Sequence, residues 1–369
     1  MKVFIKAITI IKGDLPMQHE VTKRQNLLDQ NGHIMEPGYA RHLVWDYDRK
    51  AIKAPKHRIK EWDYYLVGNE DYAVAFTISD LAYLGMASIS FLNLKEGWEK
   101  TNTILTAFPM GKFKMGPHSD QGDAVFENKQ VRLKYKIEPA KDGQPMKRHI
   151  TCQYRNFLDG QDLSVKLCLE QPEMESMCIA TPWAEQPTAF YYNQKIACMP
   201  ATGYAQLGNK KYEFVPDKHF GCLDWGRGVW TKDNTWFWGI GNGQLMDGKV
   251  FGFNLGYGFS DRSSASENML FYDHKAHKLE EVDFIIPKKG PGPMDYDFMK
   301  PWTITSSDKR FECIFTPVLD RNALTDFKII ISDQHQVFGK LNGTATLDDG
   351  TVIELKDYPC AIEVVRNKY

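Results

Sequence analysis

Apolar and polar residues alternate with a period of two along much of this chain, and helical periodicity is scarce. Val131, Leu133, Tyr135 and Ile137 alternate with Arg132, Lys134 and Lys136, the pattern of a strand with one face on a core and one in water. Leu163, Val165, Leu167 and Leu169 do the same against Ser164, Lys166 and Cys168. Tyr72, Val74, Phe76 and Ile78 alternate with Ala73, Ala75 and Thr77. Short apolar runs follow at Phe327 to Ile331, Thr351 to Leu355 and Ala361 to Val365. Asp348-Asp349-Gly350 and Leu341-Asn342-Gly343 supply hairpin signals between them. Helix candidates are confined to Thr22 to Gln30 and a turn at Ser263 to Glu267. Many short strands with Gly and Asn/Asp turns imply an all-β chain of sandwich or barrel type with few short helices.

A length of 369 residues exceeds what one hydrophobic core usually organises, so two domains are expected. The strand pattern breaks between Glu170 and Pro187, where Pro172, Pro182 and Pro187 fall among acids. That places an amino-terminal domain at 1–180 and a carboxy-terminal one at 181–369, each the size of one eight-to-ten-stranded barrel. Aromatics reach 13%, with 21 Phe, 17 Tyr and 9 Trp, residues that favour strands and bury large areas.

Lys plus Arg number 46 against 47 Asp plus Glu, a formal charge of −1, and no basic stripe stands out. Nucleic acid and anionic membrane surfaces are not expected partners. Ala7 to Ile11 is too short for a signal-peptide core, and no run approaches a spanning helix. The seven Cys are odd in number and lack C-x-x-C spacing, as reduced thiols in the cytoplasm would be. Gly239-x-Gly241-x-Gly243 lacks the spacing and following helix of a nucleotide loop, so no cofactor is expected. His274 and His277 would point to different faces of a hairpin, and no metal site is expected there. Oligomeric state is not legible.

Residues 219–268 carry the densest signal. Between Lys218 and Lys232 the only charges are Asp224 and Arg227, set among Trp225, Trp230, Gly and Val. Burying either one unpaired is costly, so they neutralise each other or partners elsewhere. A salt bridge locking a bend is one reading; a polar group aimed into an apolar cavity, its pKa raised by desolvation, is the other. Two glycine-rich aromatic strands follow. In one, Trp236, Trp238 and Ile240 share a face. In the other, Phe251, Phe253, Leu255 and Tyr257 share one face, and the opposite face carries only Gly252, Asn254, Gly256 and Gly258. A face so bare needs a close neighbour: another backbone, a bulky Trp or a ligand. Asn254, alone among glycines, is the residue expected to look into a cavity. His335 precedes Val337 and Phe338, and Glu267 and Asn268 precede the apolar Met269 to Phe271. A core histidine and a strand cap explain these three residues, and so does function.

Trp62-Asp63-Tyr64-Tyr65, Asp224-Trp225-Gly226-Arg227-Gly228, Gly252-Phe253-Asn254-Leu255-Gly256, Ser266-Glu267-Asn268, Pro301-Trp302 and Asp333-Gln334-His335-Gln336-Val337-Phe338-Gly339 resemble the bacterial family known as domain of unknown function 2804. The likeness runs from about Glu36 to the carboxy terminus. That family is distantly similar to the lipocalin-like hydroxyneurosporene synthase (carotenoid 1,2-hydratase) and AttH group. The resemblance implies two lipocalin-like, calycin-type antiparallel β-barrels packed together. In those hydratases an Asp in an Asp-x-x-Trp-Gly-like motif is thought to protonate an alkene. Asp224 is the nearest counterpart, but here Trp and Gly are displaced and Arg227 stands close by, which opposes an acid role.

Three functions remain open. The first is a cofactor-independent lyase, hydratase, isomerase or cyclase on an isoprenoid or polyketide-like substrate. Asp224 would be its proton donor, with Arg227 or His335 orienting substrate or water. Trp225, Trp230, Trp236, Trp238 and Trp302 would supply the walls, and Asn254, Tyr257, Glu267 and Asn268 the other ligand contacts. The second is a non-catalytic carrier or sensor of a hydrophobic small molecule. The third is carbohydrate binding on exposed Trp. Whether Asp224 and His335 reach one cavity separates the first from the second.

Overall fold

A computed structural model describes residues 18–326 and 331–368; Ala7–Ile11 and nearly all of the Phe327–Ile331 run lie outside them. The alternating segments form strands with their apolar residues turned inward: Leu163, Val165, Leu167 and Leu169 are all buried. Strands of two curled antiparallel sheets account for most of the chain, a pair of lipocalin-like half-barrels.

The first sheet has thirteen strands. Its main path runs Trp98–Ala107, Leu84–Asn93, Tyr72–Asp80, Ile59–Gly68, Phe220–Val229, Gln186–Leu207, Gln161–Gln171, Met146–Leu158, Val131–Glu138, Ala124–Glu127. Gln186–Leu207 is long enough to serve two neighbourhoods: residues 190–200 pair with Phe220–Val229, and residues 201–207 with Gln161–Gln171. The register with Phe220–Val229 shifts between Ile196 and Met199, where Cys198 takes φ +61°. The second sheet has nine strands, in the order Lys275–Lys278, Met269–Tyr272, Val250–Tyr257, Asp233–Gln244, Val352–Lys368, Ile331–Thr346, Phe311–Asp326, Trp302–Ser306, Val282–Ile285. Pairing passes from one sheet to the other between Val229 and Asp233. The proline-bearing segment at 172–187 leads into the Met177–Trp183/Gln186–Leu207 hairpin of the first sheet.

Several local expectations fail for physical reasons. Thr22–Gln30 is not a helix. Gln25–Asn26 pairs in parallel with Trp45–Asp46, Leu27 and Leu28 are both buried, and the Asp29 carboxylate accepts from the N–H groups of Asn31 and His33, a turn-making habit that competes with helix. Ser263–Glu267 is not helical either; the Ser266 N–H donates to Gln18 Oε1 at 2.8 Å. Leu341-Asn342-Gly343 is a bulge inside Ile331–Thr346, with Gly343 at φ +153° against the Glu312 carbonyl. Asp348-Asp349-Gly350 does turn the chain, Gly350 having φ +85°. Short 3-10 turns occur at Arg49–Ala51 and Lys56–Arg58. Among the described residues no helix is long and apolar enough to cross a membrane.

Two cores follow from the two faces of the second sheet. Phe251, Phe253, Leu255, Trp302, Phe311, Phe315, Val337 and Ile362 fill its concave side. Trp238, Ile240, Met269, Phe338 and Ala361, on its other side, belong to one continuous cluster with the first sheet.

Candidate functional site

The strand Phe220–Val229 sends Asp224 and Arg227 to opposite faces, as an odd spacing on a strand must. Arg227 turns into the first barrel. It pairs with Asp63 at 3.0 Å, donates to the carbonyls of Gly116 and Trp62, and stacks 4.2 Å from the Trp225 ring centroid. Asp224 turns toward the second sheet. Its Oδ1 accepts from Trp62 Nε1 at 3.0 Å and Asn193 Nδ2 at 2.7 Å, and its Oδ2 lies 2.6 Å from Lys195 Nζ. The two charges are neutralised by separate partners, not by each other.

Around this ion pair the two sheets build a polar and aromatic seam. Lys195 Nζ sits 4.5 Å from the Trp238 ring centroid. Trp238 Nε1 donates to Asn254 Oδ1 at 2.8 Å, and Asn254 Nδ2 to the Glu267 carbonyl at 2.7 Å. Tyr191 OH donates to Glu267 Oε2 at 3.4 Å. Burial pushes the Glu267 carboxyl above its ordinary range, against the opposing pull of Lys195; the nearby Asp224 carboxylate adds to the rise. Trp62 stacks on Tyr191, and Trp230 meets Trp62 and Trp236 edge-on. Farther along, Tyr64 OH donates to Gln336 Oε1 at 3.1 Å. Gln336 and Gln334 both donate to Glu363 Oε2, and Trp236 Nε1 to its Oε1 at 2.9 Å. Burial raises the Glu363 carboxyl as well.

The bare glycine face is explained by what presses on it. A Cβ at Gly252 would lie 2.5 Å from Cys198 Sγ, and one at Gly256 would overlap the Glu267 carboxylate. Gly226 leaves room for the Trp62 ring in the same way. These glycines let first-sheet backbone and site side chains approach, and the face they leave is the seam between sheets. Asn254, expected to look into a cavity, is instead buried and bonded to Trp238 and the Glu267 carbonyl, and the other face of its strand packs into the aromatic second core.

A cavity of about 340 Å³ opens next to this seam. Leu66 and Ile240 line it, each two residues beyond Tyr64 and Trp238 on the same strand face, a step of ~7 Å. Ala73, Phe220, Phe338 and Ala361 make its walls largely apolar, and Lys95 and Lys340 stand among its polar groups.

Six of the residues singled out from sequence therefore meet at one place: Asp224, Trp230, Trp236, Trp238, Asn254 and Glu267. Others do not. His335 lies on the far side of the second sheet, paired with Asp320 at 2.7 Å and stacked on Phe298, and Asp224, its oxygens taken by Lys195, Trp62 and Asn193, does not line the cavity either. Tyr257 stacks on Phe237, and Trp302 packs on Phe315 in the second core. Trp225 faces the first barrel beside Arg227. Asn268 holds backbone, accepting from Gly256 N–H and donating to the Glu280 carbonyl. His277 pairs with Asp348, while His274 sits in the turn before its strand. Lys195, Asn193, Tyr191, Tyr64 and Glu363 escaped notice. Lys195 had a readable signal: it is the only charge between Glu185 and Lys210, the same sparsity that marks Asp224.

The family model for a domain of unknown function, DUF2804, matches residues 18–369. The chain belongs to that family. No curated protein matches the sequence of this DUF2804 chain. Among solved structures it is similar to a protein assigned as AttH from Nitrosomonas europaea, with 13% identity over 84% of this chain and 93% of that one, TM-score 0.49. CghA shares 12% identity over 94% and 97%, TM-score 0.49. Kievitone hydratase from Nectria haematococca shares 9% over 94% and 98%, TM-score 0.50. Identities this low bear on the fold of the DUF2804 chain alone.

Proposed function

We propose that the chain binds an apolar, isoprenoid- or polyketide-like molecule in the cleft between its sheets and adds water across a C=C bond at the seam, without a cofactor. The observation that carries this reading is the pairing of two unlike carboxyl groups in the seam; neither lines the cavity itself, whose wall at Leu66 and Ile240 begins one strand step from Tyr64 and Trp238. Asp224 is held in an ion pair by Lys195, whereas burial favours the protonated form of Glu267. A carboxyl kept protonated by burial next to a second one held in an ion pair suits acid and base roles. The acid role passes from Asp224 to Glu267, because both Asp224 oxygens already accept from Lys195, Trp62 and Asn193. Glu267 gives its proton to one alkene carbon, and the faces of Trp62, Tyr191 and Trp238 stabilise the cation left on the other. Water adds there and loses its proton to Asp224, and transfer back to Glu267 restores both groups. Kievitone hydratase shares the fold, which is compatible with hydration but does not select it.

The test is incubation with a panel of prenyl alcohols and polyenes in D2O, read by mass spectrometry. Deuterium on carbon together with a hydrated product is expected, with Glu267→Gln lowering the rate ~100-fold or more. Val318→Trp, at the half-open wall of the cleft, should block binding of the same compounds while the protein stays folded. Binding in the cleft without deuterium incorporation from any compound would make the chain a carrier.

A further inference from the structure

The first barrel carries a second polar site near its mouth, separate from the seam. Asp63, Tyr65, Ser119, Tyr135, Leu223 and Trp225 border a void of about 20 Å³, room for one atom-sized guest. Arg148 stands behind this lining, bonded to two of its residues. Its Nη1 donates to the Ser119 carbonyl at 2.5 Å and to Tyr65 OH at 3.4 Å, and its Nε to Gln171 Oε1 at 2.8 Å. Arg148, Tyr135 and Trp225 are each at most 2% exposed. Arg148 Nη2, Tyr135 OH and Trp225 Nε1 have no protein partner among the described residues.

The charges around this void do not cancel. Asp63 is taken by Arg227 and Glu61 by Arg49, while no carboxylate among the described residues pairs with Arg148. Asp123, at the rim, pairs outward with Lys134. One buried guanidinium is left over, with three orphan donors, where an unpaired buried charge is costly. A water molecule here would have to accept from the donors and still place its own two hydrogens, and Asp63, the carboxylate in the lining, is already taken by Arg227. A halide ion accepts from every donor and neutralises Arg148.

We propose that this void is a binding site for a small monovalent anion of chloride size, held by the Tyr135 and Trp225 donors that line it and by the charge of Arg148 behind them. The segment that closes it is strapped down by the same chemistry: Arg227 holds the Gly116 carbonyl at 2.8 Å and Arg148 that of Ser119. Anion binding thus ties the barrel mouth shut and is independent of the proposed hydration.

Crystals of the full chain soaked in sodium bromide should show an anomalous peak within ~3.5 Å of Tyr135 Oη and Trp225 Nε1. In solution, sodium chloride should raise Tm saturably, by roughly 2 °C or more over sodium gluconate at equal ionic strength. Tyr135→Phe, which removes one donor with little change of shape, should reduce that rise. Absence of bromide from the void, or identical Tm in both salts for the native protein, overturns the proposal. If Tyr135→Phe does not fold, the bromide map of the native protein decides alone.

Discussion

Glu267 is a carboxyl the protein holds at a cost. Burial lifts its pKa above the 4.5 of a free side chain, and Lys195 offsets only part of that rise. The folded protein then binds the proton to a higher pH than the unfolded chain does. Stability falls as pH rises from about 4.5 through the folded value, and the deficit persists above it. Glu267→Gln keeps the shape and removes the titration. Its stability relative to wild type should therefore improve between pH 4 and pH 8 in urea unfolding; a difference that does not change with pH would contradict the assignment. Lys195 acts in the opposite sense. Lys195→Met would leave Asp224 with only neutral donors inside the seam, a loss of about 3–5 kcal/mol by analogy with broken buried pairs. Urea unfolding of the variant beside wild type measures that loss, and an unchanged stability would mean that the Lys195–Asp224 pair does not hold the seam.

At the scale of elements, the seam depends on close approach between strands from different sheets. Cys198 leaves the regular strand path at φ +61°, donates its N–H to Asn242 Oδ1 at 2.7 Å, and places its sulfur against Gly252. Gly252→Ala would put a methyl 2.5 Å from that sulfur and is expected to cost about 1–3 kcal/mol. Cys198→Ala in the same chain should recover part of it, a coupling that a double-mutant cycle measures; strictly additive losses would mean that this contact is not what spaces the sheets. The sequence made half of this legible. A face of Gly252, Asn254, Gly256 and Gly258 demands a near neighbour, and the neighbours are Cys198 and Glu267 for two of them. Which side of the strand looks into a barrel was not legible, because Val250–Tyr257 is buried on both faces and alternation then carries no sign. The same blindness put His335 with Asp224. One residue's step along Ile331–Thr346 separates Gln336, bonded to Tyr64 across the seam, from His335, stacked on Phe298 behind it.

For the whole molecule, the all-β class and many individual strands could be read directly from period-two alternation. The way the sheets share their core could not, since it depends on contacts hundreds of residues apart, such as Tyr64 to Gln336. The first core takes in Phe76, Ile89 and Tyr192 from one sheet and Trp238, Ile240 and Phe338 from the other. The first sheet's strands continue through Val229, so a cut at residue 180 would remove Gln186–Leu207 and Phe220–Val229 from its middle. Even a cut between Val229 and Asp233 would leave both pieces with an exposed apolar face, and neither should fold alone. Interfaces of that kind make unfolding cooperative. Scanning calorimetry of the full chain should give one transition whose calorimetric and van't Hoff enthalpies agree. The second core, Phe251 to Val364, draws on the second sheet alone, so it is where a test of independent folding bears hardest. Two separated transitions, the later one retained by a fragment starting at Asp233, would mean that the seam joins two self-sufficient barrels and that its aromatic and ionic contacts serve the ligand more than the fold.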